Sequence, residues 1–192
     1  MRRRLSRFVL LLALVLSGCS EPPQKEIDRA QGAIDAARAA GAERYAASEF
    51  TAATTSLQQA HDAVTQGDYR TALSRALAAN ERAQEAARQA ADGKARARAE
   101  AEVGLTAATT SLQQLQTSIN AAQPRLPAAQ LAPARAAAKR IEGVLQEARA
   151  HITGERYLEA SAALKNVIPT VNEQIRLITE SADKPRPPRK RR

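Results

Sequence analysis

The only thiol of this chain, Cys19, directly follows a short apolar run, and its position indicates a covalent modification. Four arginines lie within the first seven residues, and residues 8–16 carry no charge. A cationic leader, a short apolar core and then the small residues Ser17 and Gly18 are typical of a secretory signal. The run is also shorter than the roughly 20 residues that a membrane-spanning helix needs. With one cysteine, the chain can form no internal disulfide.

The four residues Leu16-Ser17-Gly18-Cys19 resemble a bacterial lipobox. This resemblance implies cleavage between Gly18 and Cys19, and a covalent diacylglycerol and acyl chain on Cys19. An ordinary thiol in an ordinary signal peptide and an uncleaved anchor are the alternatives. Ser20 after the cysteine favours the outer membrane by the sorting rules of bacterial lipoproteins. The predicted location is therefore the cell envelope, lipid-anchored and facing the periplasm, on the inner leaflet of the outer membrane.

No set of residues with catalytic spacing is visible elsewhere in the chain. His61 and His151 lack a second His or a Cys at the spacing of metal ligands. The serines lack a nucleophile elbow, and no glycine-rich loop follows a strand. We therefore expect a protein that is not an enzyme, with no metal and no cofactor apart from the lipid.

The net charge of +9 is concentrated at the two ends of the chain. The first 18 residues carry four of these charges and residues 183–192 carry five, so residues 19–182 are neutral overall. This distribution argues against nucleic acid as a partner. The proline-interrupted tail is a candidate polyanion-binding segment, with lipopolysaccharide, anionic lipid or acidic wall polymers as ligands. The alternative is a solubilising tail without a partner. The candidate residues are Lys184, Arg186, Arg189, Lys190, Arg191 and Arg192.

The elements that position these ends are predicted to be helices, since Ala, Glu, Gln, Arg and Leu dominate residues 25–182. The predicted fold class is all-α: elongated helical hairpins, tetratricopeptide-like or coiled-coil-like, with disordered termini. Glycines and prolines divide the chain. The predicted regions are a signal peptide (1–18), a lipidated Cys and tether (19–24), a hairpin region with a long Ala-rich helix (25–123), a second hairpin (124–182) and a basic tail (183–192).

Spacing of large apolar residues predicts the buried faces. Phe50, Leu57 and Val64 recur every seven residues, and we expect Tyr69, Leu73 and Leu77 to face them across a turn. Residues 78–102 contain no large aliphatic residue, which leaves two alternatives: a projecting rod or a surface helix of close-packed alanines. Asp92-Gly93 is a candidate point of interruption in either case.

In the second half of the chain, Pro124, Pro127 and Pro133 are expected to bracket a turn. A final helix should carry its apolar seam past Pro169, which we expect to bend it. The seam residues are Leu164, Val167, Ile168, Val171, Ile175 and Ile178.

Two internal repeats support this arrangement. The string TAATTSLQQ occurs at 51–59 and again at 106–114. A looser repeat with an offset of 88 matches seven positions between residues 57–72 and 145–160, including Tyr69 with Tyr157 and Ala72 with Ala160. Each copy covers a helix, a turn and a return helix, the unit of tetratricopeptide-like folds.

The segments Ala39–Ala46 and Gly67–Ala72 resemble the domain-of-unknown-function family 4398, over roughly residues 25 to 100. This resemblance implies a helical envelope lipoprotein of Gram-negative bacteria and brings no catalytic residues. The predicted function is a non-catalytic, lipid-anchored interaction or structural module in the periplasm, with an unidentified envelope protein as partner. The alternative is a polyanion-binding tether that works through the basic tail.

Overall fold

The computed structural model describes residues 21–183. The predictions for the signal peptide, Gly18, Cys19 and the tail residues from 184 onward lie outside these residues. The helices are α1 (Gln24–Ala39), α2 (Ala42–Tyr45), α3 (Ala47–Thr65), α4 (Tyr69–Ala122), α5 (Ala128–Thr153), α6 (Tyr157–Leu164) and α7 (Val167–Asp183). Residues 21–183 contain no strand, and the predicted all-α fold is confirmed.

The chain divides into two compact units at Gly93 and Lys94, inside the 54-residue helix α4. We call their described parts unit 1 (residues 21–93) and unit 2 (residues 94–183). Helix α4 runs without a break through Asp92 and Gly93, so the helix is not interrupted at this candidate point.

Unit 1 is built around the predicted heptad seam of α3, where Phe50 and Leu57 are buried. Helix α1 adds Ile27 and Ile34, whereas α4 contributes only alanines to this core. Their spacing of three and four residues places them on one face of α4, in agreement with the alternative of close-packed alanines. These residues are Ala76, Ala79, Ala83, Ala86 and Ala90.

The prediction that Leu73 and Leu77 face inward is wrong. Their exposed fractions are 39% and 45%, while Ala72 and Ala76 beside them are fully buried. A methyl side chain lets two helices approach closely, so the alanine face packs and the leucines turn outward.

A close approach within unit 1 also explains Gly93. A Cβ on this residue would lie 2.9 Å from the carbonyl oxygen of Tyr45, at the end of α2. Real Cβ atoms do not come this close to backbone oxygen. Glycine at position 93 therefore lets α4 pass the backbone of Tyr45.

Unit 2 has a core of large aliphatic side chains from α4, α5, α6 and α7. Helix α6 packs antiparallel to α5, and α7 continues along the same partner after a break at Lys165 and Asn166. The predicted final helix is thus two helices, and Ile168 of its seam is 40% exposed. The largest members of this core are Leu112, Leu115, Ile119, Leu126, Leu131, Ile141, Leu145, Leu164, Val167, Val171 and Ile178.

The prolines of unit 2 differ in part from the prediction. The turn covers residues 123–127, and Pro133 lies inside α5 rather than at its edge. Pro169 is the third residue of α7. In the first turn of a helix no intrahelical N–H bond is lost, so the reason for expecting a bend at Pro169 does not apply there.

The two hairpin repeats close with the same hydrogen bonds. Gly67 N–H donates to Val64 O at 3.0 Å, and Glu155 N–H donates to Ile152 O at 3.0 Å. A second bond spans five residues in each copy, from Asp68 to Ala63 and from Arg156 to His151. This pattern is a Schellman motif, which requires a left-handed residue. That residue is Gly67 (φ 74°) in the first copy and Glu155 (φ 57°) in the second.

The nine-residue repeat has the same environment in both units. At every one of its positions, the exposure class in 51–59 equals that in 106–114. Leu57 and Leu112 are each 6% exposed, and Ser56 and Ser111 are the buried polar residues of the described chain. The repeated sequence therefore buries the same helix face twice.

Candidate functional site

The two histidines lie on separate helices, one in each unit. His61 is exposed on α3, and His151 on α5 has its Nε2 3.5 Å from Glu147 Oε1. Within residues 21–183, no group of three or more His, Cys, Asp or Glu side chains could hold a metal ion.

None of the predicted site residues falls within the described part of the chain. Gly18, Cys19 and the six tail cations lie before residue 21 or after residue 183. The described residues therefore offer candidate binding surfaces rather than the predicted site itself. Three surfaces are described below.

The first surface, which we call the N-terminal groove, lies where the described chain begins. Residues 21–26 and Leu73 of α4 line this groove, which has a volume of about 670 Å³. It contains the carboxylates of Glu21 and Glu26 beside the ammonium of Lys25, so its charge is mixed. Leu73 is its aliphatic side chain.

The second surface continues from Leu73 along α4. Tyr69, Leu73 and Leu77 are spaced four residues apart and share one side of the helix. We call these three residues the leucine face. Sequence reasoning identified them as a set, but assigned them to the core because it used hydrophobicity without the distance between helices.

The third surface lies in unit 2, between α4 and α5, and we call it the amide groove. Its volume is about 500 Å³, and Gln116 Nε2 donates to Glu142 Oε1 across it at 3.1 Å. Its lining residues are Gln116, Ile119, Asn120, Gln123, Arg135, Ala138, Lys139 and Glu142. The sequence analysis missed this groove. Residues 103–141 contain four cations and no Asp or Glu, and that signal could have found it.

Ion pairs and caps lie near the turns of the helices that carry these surfaces. Lys94 Nζ donates to Glu155 Oε2 at 2.6 Å, and this bond lowers the pKa of the Glu155 carboxyl. In unit 1 the backbone N–H of Thr71 donates to Asp68 Oδ1 at 3.0 Å, which lowers the pKa of Asp68. Asp68 is thus the N-cap of α4, as carboxylates commonly are.

Arg38 forms a further clamp in unit 1. Its guanidinium contacts both Asp35 and Glu43 at 2.9 Å, and these partners, Glu43 first, raise its pKa. The same guanidinium lies 5.3 Å from the centre of the Phe50 ring. Arg38 therefore ties the end of α1 to α2 and covers the aromatic residue of the core.

No helix within residues 21–183 has the length and apolarity that crossing a membrane requires. No curated protein and no solved structure matches the chain. The family comparison gives one result, over a part of the chain that covers most of unit 1 and the start of unit 2. Residues 25–102 match the family described as a domain of unknown function (DUF4398), and the predicted resemblance to that family is confirmed for this segment.

Proposed function

We propose that this chain is a non-catalytic lipoprotein of the bacterial envelope, held at the outer membrane by acyl groups on Cys19. Its helical units would act as an interaction or structural module in the periplasm. The observation that carries the proposal is the sequence Leu16-Ser17-Gly18-Cys19 behind a cationic leader and an apolar run. Helix α1 begins at Gln24, so a short segment containing Pro22 and Pro23 would join the lipid to the folded units.

The test of the anchor is the substitution Cys19→Ser in the full chain. The wild-type protein should fractionate with membranes and carry the mass of a diacylglyceryl group on its N-terminal peptide. The variant should lose both. If the variant remains in the membrane fraction, or if the wild-type peptide lacks the lipid mass, the lipoprotein proposal is wrong.

The helical units support a role as a module because each presents a shaped surface on a packed core. Leu57→Asp in unit 1 and Leu145→Asp in unit 2 place a charge in an apolar core and should unfold the unit that carries them. The matched controls are Gln58→Asp and Gln146→Asp, which are exposed neighbours in the two hairpin repeats. If the module is what matters in the cell, the core variants should reproduce a deletion phenotype and the controls should not.

The amide groove favours a second candidate function, the polyanion-binding tether. Arg135 and Lys139 lie four residues apart on α5 and line one groove, in which Glu142 is the single acid and accepts a hydrogen bond from Gln116. Together with the basic tail, they offer cations to anionic polymers.

Co-sedimentation of the Cys19→Ser full chain with cell-wall sacculi across salt concentrations tests this tether. A tether should bind strongly at low salt and lose binding as salt rises, because exposed charges are screened. Removal of residues 184–192 or the pair Arg135→Gln and Lys139→Gln should weaken it. Arg149→Gln, at the other end of α5, is the control. Salt-independent binding, or none, contradicts the tether.

A further inference from the structure

The leucine face of unit 1 is exposed beside the buried alanine face of the same helix, about a quarter of a turn away. Leu73 and Leu77 are 39% and 45% exposed, whereas Ala72, Ala76 and Ala79 are fully buried. We propose that this face, formed by Tyr69, Leu73 and Leu77, lies against the lipid surface to which Cys19 is anchored. This inference rests on the lipidation of Cys19 in the proposed function.

The chain itself limits the distance between the lipid and this face. Glu21 lines the N-terminal groove together with Leu73. Cys19 precedes Glu21 by two residues, and two extended residues span at most about 7 Å. Acyl chains on Cys19 therefore enter the bilayer close to the groove in which Leu73 lies. Leu73, exposed beside this groove, therefore lies on the part of unit 1 nearest to the anchor.

The side chains of the face suit an interface. Leucine side chains enter the region between head groups and acyl chains, and a tyrosine keeps its ring in the apolar layer with its hydroxyl in the wet one. Arg70, which precedes Leu73 by three residues and Leu77 by seven, borders the same side of α4 and is exposed. Its guanidinium can reach lipid phosphate from the edge of the face.

Apolar contact rather than charge should carry this interaction. The groove beside Leu73 contains Glu21 and Glu26 as well as Lys25, so it attracts anionic lipid no more than neutral lipid. The contact is therefore expected in zwitterionic vesicles and at high salt, conditions that would release a polyanion tether.

The chain contains no tryptophan, so one introduced tryptophan reports on a single position. The experiment uses the full-length acylated protein carrying Leu77→Trp, reconstituted in phosphatidylcholine vesicles that contain brominated lipid. The control is Leu158→Trp in unit 2, where the native leucine is 42% exposed and thus closely matched. Leu73→Trp gives a second reading on the same face, and far-UV circular dichroism verifies that each variant is folded.

The expected result is quenching of Leu77→Trp and Leu73→Trp several-fold greater than quenching of Leu158→Trp, unchanged between low and high salt. Equal quenching at all three positions, or none at positions 73 and 77, overturns the inference. A blue-shifted but unquenched Leu77→Trp overturns it too, because the face is then covered by protein, either a second copy or another partner.

Flotation of the same samples separates this inference from the anchor. If the protein floats with the vesicles but Leu77→Trp is not quenched, the anchor stands and the leucine face is not at the membrane. If the wild-type protein fails to float and behaves like Cys19→Ser, the lipidation itself is wrong and this inference falls with it.

Discussion

Unit 1 and unit 2 use the same helix α4 in different ways. In unit 1, α4 contributes only alanines to the core, and its leucines at 73 and 77 point outward. In unit 2, α4 contributes Leu112, Leu115 and Ile119. An alanine buries far less apolar area than a leucine, at roughly 25 cal/mol per Å². Close helix packing in unit 1 thus leaves large side chains on the surface, where they can serve binding.

The nine-residue repeat shows that this difference does not come from the repeat itself. Leu57 and Leu112 occupy the same repeat position with the same exposure, on α3 in unit 1 and on α4 in unit 2. What differs is the helix that faces them. In unit 1 the facing side chains are the alanines of α4. In unit 2 they are the large aliphatic side chains of α5 and α7.

The largest expected effect comes from truncation of the paired leucines. Leu57→Ala and Leu112→Ala should each lower the free energy of unfolding by about 2–5 kcal/mol, since each leaves a cavity in a core. Amide hydrogen exchange should show lost protection within residues 21–93 for Leu57→Ala and within residues 94–183 for Leu112→Ala. Equal loss in both regions for either variant would contradict a division into two units.

Enlargement of an alanine tests the close packing of unit 1. Ala83→Leu, at a fully buried site, should cost about 1–3 kcal/mol because the added atoms force the helices apart. Ala91→Leu, at an exposed site on the same helix, should leave the urea midpoint nearly unchanged. A neutral Ala83→Leu would mean that α4 is loosely held in unit 1.

Two glycines in unit 1 provide an internal control for close approach. Gly32→Ala, with open space around it in α1, should stabilise unit 1 by about 0.5–1 kcal/mol. Gly93→Ala should lower the thermal midpoint instead, because its Cβ meets the carbonyl oxygen of Tyr45. The same sign of change in both variants would show that α4 does not pass Tyr45 closely.

The smallest effect concerns the two carboxylates at the hairpin turns. Their pKa values are lowered in the folded state, so both stabilise the fold above their ordinary pKa values of 3.8 for Asp68 and 4.5 for Glu155. That contribution is lost as the pH falls through the lower, folded values. Lys94→Gln should raise the pKa of Glu155 toward 4.5 and leave Asp68 unchanged, as carboxyl NMR titration can measure. A change in the pKa of Asp68 in this variant would contradict the conclusion that the two pKa values are lowered by separate local partners.

Periodicity in the sequence predicted the seam of α3 and the turn after it, since large apolar residues and Gly67 carry strong signals. It could not predict which side of α4 packs. Hydrophobicity alone favours burial of Leu73 and Leu77. Whether leucines or alanines fit between two helices depends on the distance between them, which is a property of the folded unit. The break after Leu164 was missed, although Asn166 is a residue type favoured at helix N-caps and Pro169 follows it in the first turn of α7. The surface at Leu73 depends on such packing and was therefore not predicted, whereas the groove at Arg135 was missed although the acid-free stretch 103–141 was visible in the sequence.

In the second hairpin, the left-handed residue Glu155 combines an unfavourable backbone conformation with a favourable ion pair. Glycine would adopt this conformation without strain, as Gly67 does in the first hairpin, but it would remove the carboxylate that Lys94 binds. Replacement of Glu155 by glycine removes the ion pair with Lys94 and relieves the left-handed backbone strain at the same residue. The surrounding core does not change. The stability of that variant would therefore weigh a surface ion pair directly against backbone strain, a comparison that usually requires two different proteins.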